Sequence, residues 1–559
     1  MLNRTRRVLV TLLTGGSAVW TGKRLVLAHF WFAFAGFGGA LLLGEWQMFI
    51  RSPLAAWIGD PELYYRSVTA HGTTMAYVFP TLVAMGFGYF VTEQSLKRPL
   101  IGLHWAWFGW ALAVIGTIMV IVPIALGRAS VLYTFYPPMV GNAFYYIGFV
   151  LVVVGSWIWV ALMSVNLYRW KRDNPGAPVP FPMFATVAGS LLWGWTAVGA
   201  ALEVLFQIIP VALGWRDTID PGLARVLFSW TLHAIVYFWL IPSYIAYYTI
   251  VPRAIGGRLF SDTMGRISFA LFLVVAMPIG IHHTFEDPQV GAGFKYLHSV
   301  FTALVTVPTL LTVFTICASV EIAGRLRGGK GVFGWLGALP WRNPAMLGIA
   351  LSFVMLGFGG AGGIINMSYQ LDATIHNTQW ITGHFHLIFA GAIVIMYFVI
   401  AYDTWPHLTG RGLDCLGLMR AQLWLWCIGM IVLTFPWHWV GILGMPRRMA
   451  FYDYTNPEIA REAVPVIMSV IGGAILVVSA VLFFIVLLCG QTAPRSEPEA
   501  YRFSVAVRPP RRVPAALNGL GLWLGLMIAL TIVNYGFPIA HAIATPGTAV
   551  PAIMVGERR

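Results

Sequence analysis

His384 and His386 stand one residue apart in "TGHFHLIFAGAIVIMYF", an apolar stretch long enough to enter a bilayer. Imidazole is costly to bury in hydrocarbon without a partner. Helical residues two apart point about 200° apart. The two rings therefore face opposite sides of one helix and suit two separate centres, joined through the short backbone of Phe385. Adjacent His282 and His283 point about 100° apart near a helix end, where the chain can bend. Both can reach one metal ion, with His233 as a third nitrogen ligand, and imidazole suits copper or iron. Tyr237 follows His233 by four residues, on the same helix face. A phenol there can supply a proton and an electron to oxygen reacting beside it, or can simply pack in a helix interface.

The elements that must position these groups follow from composition. The chain has 559 residues, 58% hydrophobic and only 10% charged. Soluble domains are nearer a quarter charged, so this is a polytopic membrane protein. Apolar runs mark about thirteen spans, near 25–44, 68–92, 101–124, 143–166, 183–210, 225–252, 266–284, 296–320, 344–366, 380–402, 420–442, 464–488 and 517–545. Runs of this length are helical, because barrel strands need only 9–11 residues. The fold class is all-α. The expected organisation is a leader over 1–24, a transmembrane domain over 25–545 and a tail over 546–559.

The net charge of +14 reflects topology. With the "RTRR" leader in the cytoplasm, alternation places roughly 24 Lys and Arg inside and roughly 11 outside. No nucleic-acid surface is implied. Parity then puts His71, His233, His282, His283, His384 and His386, from four helices, at one depth in the outer half of the bilayer. Clustered intramembrane histidines suggest metal or haem ligation. His298, His438 and His541 also fall near the outer face and read as structural histidines. Cys317, Cys415, Cys427 and Cys489 show no CxxC spacing and read as buried apolar thiols. No internal repeat of the kind seen in many transporters is evident.

Two polar sets complete the pattern. Tyr237, Tyr244 and Tyr248 follow one face of the sixth span, and Thr302, Thr309, Thr312 and Thr315 form a stripe on the eighth. Hydroxyls can relay protons where a charge is costly, or bond between helices. Asp372, His376 and Asn377 in "LDATIHN", with Arg447 and Arg448 in "PRR", fall on the outer side. Guanidinium forks suit carboxylates such as haem propionates, and also lipid headgroups. Glu203 in the fifth span is a candidate for proton movement or a structural hydrogen bond.

The chain resembles subunit I of the B-family, ba-type haem–copper oxygen reductases over nearly its whole length. The resemblance is carried by "LYTFYPP" (132–138), "HAIVYFWLIPSYIAYYTI" (233–250), "PIGIHHTF" (278–285), "IAGRLRGGKGVFGW" (322–335), "GGAGGIINMSYQLDATIHNTQWITGHFHL" (359–387) and "HWVGILGMPRR" (438–448). It implies that His71 and His386 ligate a low-spin haem b. It makes His384 the axial ligand of a high-spin haem of a-, o- or b-type. His233, His282 and His283 would hold copper B, with Tyr237 cross-linked to His233. It places a single K-type proton path along the tyrosines and threonines, and propionate contacts at Asp372, His376, Asn377, Arg447 and Arg448.

The implied activity is that of a terminal cytochrome c oxidase. It would reduce O2 to water in a bacterial or archaeal cytoplasmic membrane and couple this to proton translocation. Two departures bear on mechanism. Ala234 replaces the proline that often follows the histidine, which would restore a helix hydrogen bond and slightly move His233. Ile235 stands where many A-family relatives carry a glutamate, so that family's second channel is not expected. No CxxxCxxxH cluster occurs, so electrons from cytochrome c or a similar donor would arrive through a dicopper centre on subunit II. The competing readings are a nitric oxide reductase of the same superfamily and a transporter with a histidine proton relay. Tyr237 and the lack of an acid near His233 argue against the first. The two-sided "HFH" argues against the second.

Overall fold

The computed structural model describes residues 21–495, 500–545 and 549–556, so most of the 1–24 leader lies outside the described residues. Twelve helices among them are long and apolar enough to cross a membrane. These are α1 (Gly22–Arg51), α2 (Pro61–Leu96), α3 (Leu103–Ala125), α4 (Ala143–Asp173), α5 (Phe181–Ala212), α6 (Pro221–Ala254), α8 (Ala292–Leu326), α9 (Pro344–Met367), α10 (Gln379–Thr409), α11 (Leu416–Ile442), α12 (Ala463–Thr492) and α13 (Gly521–Ala544). Between α6 and α8, α7 (Asp262–Val275) is shorter, at 14 residues. The expected seventh span, 266–284, is therefore only partly helical. Pro278 lacks an N–H and restricts Met277 before it. The chain continues as a tight 3-10 turn over Gly280–Thr284.

Helix starts follow local chemistry. Asp60, Asp220 and Asn343 each cap a helix whose first residue is proline. The side-chain oxygen accepts an otherwise orphaned N–H, at about 1 kcal/mol per cap, and proline sits where no N–H is needed. The apolar windows of α2 and α6 are 94% buried, whereas that of α13 is 28% buried. The second and sixth helices thus form the centre and α13 the rim. Between helices in lipid, packing and hydrogen bonds replace the hydrophobic drive.

The regular ladder breaks beside the residues of interest. Stretches of π-helix span Thr74–Val78 after His71, Leu387–Ile393 after His386 and Val204–Ile208 after Glu203. Such bulges re-aim side chains. The sixth helix is also interrupted at His233, between Pro221–Leu232 and Ala234–Thr249. Ala234 does not make it continuous. Beside the break, the Tyr535 hydroxyl of α13 lies 3.0 Å from Met277 O and 3.3 Å from Ser229 O, so its one hydrogen is shared between the turn after α7 and the sixth helix.

The segment after α13 pairs back onto the loops. β3 (Val550–Pro551) lies antiparallel to β2 (Thr218–Ile219), and β4 (Ile553–Met554) parallel to β1 (Met139–Val140). Of the cysteines only Cys427 is buried; Cys317 and Cys489 are exposed and Cys415 is intermediate. That corrects the expectation of four buried thiols. A thiol is apolar enough to sit on a helix face turned to lipid.

Candidate active site

His71 and His386 face each other across a cavity of about 240 Å³. Their ring centres are 6.2 Å apart and the rings are within 20° of parallel. His71 Nδ1 donates to Ala40 O at 2.7 Å, and His386 Nδ1 to Thr382 O at 2.8 Å. A proton spent on a carbonyl leaves each Nε2 lone pair for a metal. Two metal–imidazole bonds of about 2 Å each, plus the reach from each nitrogen to its ring centre, account for the separation. Gly44 makes room, since a Cβ there would come within 2.9 Å of the His71 ring. The pair fits a six-coordinate haem iron.

His384 points the other way. Its ring lies against α9, where a Cβ on Gly362 would come within 2.9 Å of Nδ1. That nitrogen is buried without a hydrogen bond among the described residues; the Gly359 carbonyl is near it but outside bonding geometry. A Cβ on Gly363 would also come within 3.4 Å of the ring, at Cε1. A close helix face of glycines beside an axial imidazole fits a second haem. Phe385, between the two histidines, packs on Trp239 at 5.9 Å.

His233, His282 and His283 converge, with one ligand nitrogen from each within 4.8 Å of the others. His233 comes from the break in α6 and the other two from the 3-10 turn. Gly280 permits this approach, because a Cβ there would fall 1.7 Å from Ser229 O. Thr302 donates to His298 O at 2.6 Å and so accepts from His282 Nδ1 at 2.9 Å. That assigns the His282 proton to Nδ1 and frees Nε2. His233 Nδ1 lies 2.7 Å from His283 Nε2, while its Nε2 meets the Tyr237 hydroxyl at 3.1 Å. Three convergent imidazoles, one buried and two partly buried, fit copper.

The polar sets divide. Tyr248 donates to Thr312 at 3.1 Å. The Tyr244 hydroxyl has no bonded partner among the described residues, although Thr309 lies near it. Thr309 and Thr315 bond back to Val305 O and Leu311 O of their own helix. Thr302 serves His282. The expected stripe is thus one junction flanked by helix-bound hydroxyls. Arg447 and Arg448 line the His71–His386 cavity, whereas Asp372, His376 and Asn377 stand behind them. Asn377 Oδ1 accepts from Arg447 at 2.8 Å, and His376 meets Asp372 at 2.6 Å. Burial raises the Asp372 carboxyl, opposed by the hydrogen bond from His376. Burial and then Arg448 lower the Arg447 guanidinium to about 10, which leaves it charged at neutral pH. Arg448 is held at φ 63, at a cost of about 1–2 kcal/mol.

Sequence reading missed Arg51. It is buried, lines the same cavity and lies over the Tyr64 and Tyr452 rings at 5.5 and 5.8 Å. The apolar run ends near residue 44, but α1 continues to Arg51, which brings the guanidinium over the cavity. Glu203 is fully buried with both oxygens unbonded among the described residues. His298, read as a structural histidine, is fully buried behind the three-histidine turn, where its Nδ1 accepts from Ile281 N–H at 3.3 Å.

Residues 21–476 match the family described as "Cytochrome C and Quinol oxidase polypeptide I". Cytochrome c oxidase subunit 1 of Thermus thermophilus is 40% identical over 488 residues, covering 85% of this chain and 86% of that protein. Its counterpart from Synechocystis is 26% identical over 492 residues, covering 83% and 82%. The fold matches a chain of a haem–copper terminal oxidase dimer, solved by cryo-electron microscopy, with a TM-score of 0.91 at 30% identity and 96% coverage of each chain. With the matched region running through every helix that carries a histidine of the site, the chain belongs to the polypeptide I family of cytochrome c and quinol oxidases.

Proposed function

We propose that this chain is the O2-reducing catalytic subunit of a B-family, ba-type cytochrome c oxidase. The observation that carries the reading is the pair of histidine sites around Phe385: the stacked His71–His386 pair, and the three-histidine cluster with His384 turned to α9, His283 of the cluster also reaching the wall of the first cavity. Haems and copper, when bound, supply one-electron transfer and O–O bond cleavage. His71 and His386 would hold the low-spin haem, of b-type, and His384 the high-spin haem. His233, His282 and His283 would hold copper. Arg447 and Arg448, with Arg51, would neutralise propionates. Asn377 would aim Arg447, and the Asp372–His376 pair would stand next to that group.

The protein's own work is to orient ligands and move protons. Tyr248 and Thr312 begin a path toward Tyr244 and Tyr237, and Thr302 fixes the His282 tautomer. Ile235, beside the site, offers no carboxyl for a second path, which supports the B-family reading. Electrons would come from cytochrome c or a similar donor through a dicopper centre on subunit II, since the sequence has no CxxxCxxxH cluster. The basic leader would lie in the cytoplasm, which places the histidines in the outer half of a bacterial or archaeal membrane.

The low-spin assignment has a direct test. His386→Leu removes one axial ligand and leaves His384 in place, so the reduced low-spin absorption band should disappear while copper content stays. His71→Leu should give the same loss, because a six-coordinate iron needs both nitrogens. A reduced spectrum unchanged in either variant would sink the assignment.

A further inference from the structure

We propose that Ser268, on α7, is a working member of the proton path, forming with Thr312 and Tyr248 a three-hydroxyl junction whose direction can reverse. The inference rests on the proton path described above. All three side chains are fully buried. Tyr248 donates to Thr312 Oγ1 at 3.1 Å, and Thr312 and Ser268 are 2.7 Å apart. Both Thr312 and Ser268 also reach Pro308 O, at 2.9 and 2.7 Å.

Counting hydrogens shows why the arrangement is special. A backbone carbonyl has two lone pairs. In a helix running through Thr306–Leu326, Pro308 O already accepts the N–H of the residue four on, Thr312. One lone pair is left for two hydroxyls. If Ser268 takes it, Thr312 must donate to Ser268, and the order is Tyr248 to Thr312 to Ser268 to Pro308 O. If Thr312 takes it, Ser268 must donate to Thr312. The two orders use the same atoms, leave no hydroxyl hydrogen unbonded and differ by two rotations about C–O bonds.

A relay needs such a pair. The relay starts once Tyr248 has turned its hydrogen toward Tyr244 and Thr312 has swung from Pro308 O to donate to Tyr248, with Ser268 donating to Thr312. A proton arriving at Ser268 Oγ then displaces the Ser268 hydrogen onto Thr312. The Thr312 hydrogen passes to Tyr248, and the Tyr248 hydrogen leaves toward Tyr244. Each oxygen ends with one hydrogen, and one proton has crossed. Every bond now points backward, from Tyr248 to Thr312 to Ser268. The vacant lone pair of Pro308 O lets Ser268 and then Thr312 swing without leaving a buried donor unpaired, which would cost about 1–3 kcal/mol. Without Ser268, Thr312 donates permanently to Pro308 O and the junction has a single order.

The test uses the whole oxidase complex. Proton uptake is followed with a pH dye after flash-initiated reaction of the reduced enzyme with oxygen, in H2O and D2O. Ser268→Ala should slow uptake about tenfold and enlarge the solvent isotope effect, with haem spectra and copper content unchanged. Ser268→Thr keeps a hydroxyl and should restore both. Normal uptake and isotope effect in Ser268→Ala overturn the proposal, as does equal slowing in Ser268→Thr, which would assign the effect to packing. Thr312→Val is run beside them. If it also leaves uptake unchanged, the path itself fails; if it alone slows uptake, only the role of Ser268 fails.

Discussion

Tyr237→Phe is expected to leave both haems and copper bound and to lower oxygen turnover by at least about a hundredfold, equivalent to about 2.7 kcal/mol of barrier. Little in the packing should change. The ring stays buried against Phe272, with centres 5.7 Å apart, and the volume is nearly conserved. Among the described residues the hydroxyl makes one bond, to His233 Nε2 at 3.1 Å, and losing it costs about 1 kcal/mol. The functional loss is larger because of where the phenol stands. It is one helical turn from a residue of the three-histidine cluster. When the metals are only partly reduced they hold fewer than the four electrons oxygen needs, and the phenol can give one together with its proton. The same contact favours a covalent His233–Tyr237 link, so a cross-linked peptide should appear by mass spectrometry in the wild type and vanish in the variant. If the wild type lacks that peptide and the variant turns over normally, Tyr237 is structural and a nitric oxide reductase becomes the better reading.

How much of this could be read in the sequence depended on the range of the interaction. The split between His384 and His386 follows from helical geometry over two residues, and the structure places their rings on opposite sides. The convergence of His282 and His283 with His233 was also legible, because adjacent residues at a helix end have few ways to point. The 3-10 turn that carries them was not, since it depends on Gly280 meeting Ser229 O across the bundle. The break at His233 was not legible either, because the Tyr535 hydroxyl that reaches Ser229 O beside it is 302 positions away from His233 in sequence. Arg51 was hidden because hydropathy ends before the helix does. Ser268 was hidden because its neighbour on another helix, Thr312, gives it meaning, and no periodicity within one helix can show that.

Replacing His282 or His283 with Ala should cost the site its copper. Each loss leaves at most two of three imidazoles, and the remaining two cannot close around the ion, because His233 is held by the break in α6 and the surviving turn residue by Gly280. The two variants should differ in detail. In His282→Ala the Thr302 hydroxyl loses the ring that donates to it at 2.9 Å but keeps its own bond to His298 O, so the helix is undisturbed. In His283→Ala the 2.7 Å contact to His233 Nδ1 is lost, and His233 is free to turn on Tyr237. Metal analysis against haem content should show copper falling at least about tenfold in both, a loss of binding of about 1.4 kcal/mol or more. Oxygen reduction should stop while the reduced low-spin band persists, since His71 and His386 belong to other elements on the far side of Phe385. Full copper occupancy with near-normal turnover in either variant would remove that residue from the ligand set. Parallel loss of copper and of the low-spin band would point to collapse of the turn, and the Gln variant, which keeps more of the ring's volume, would then separate ligation from packing.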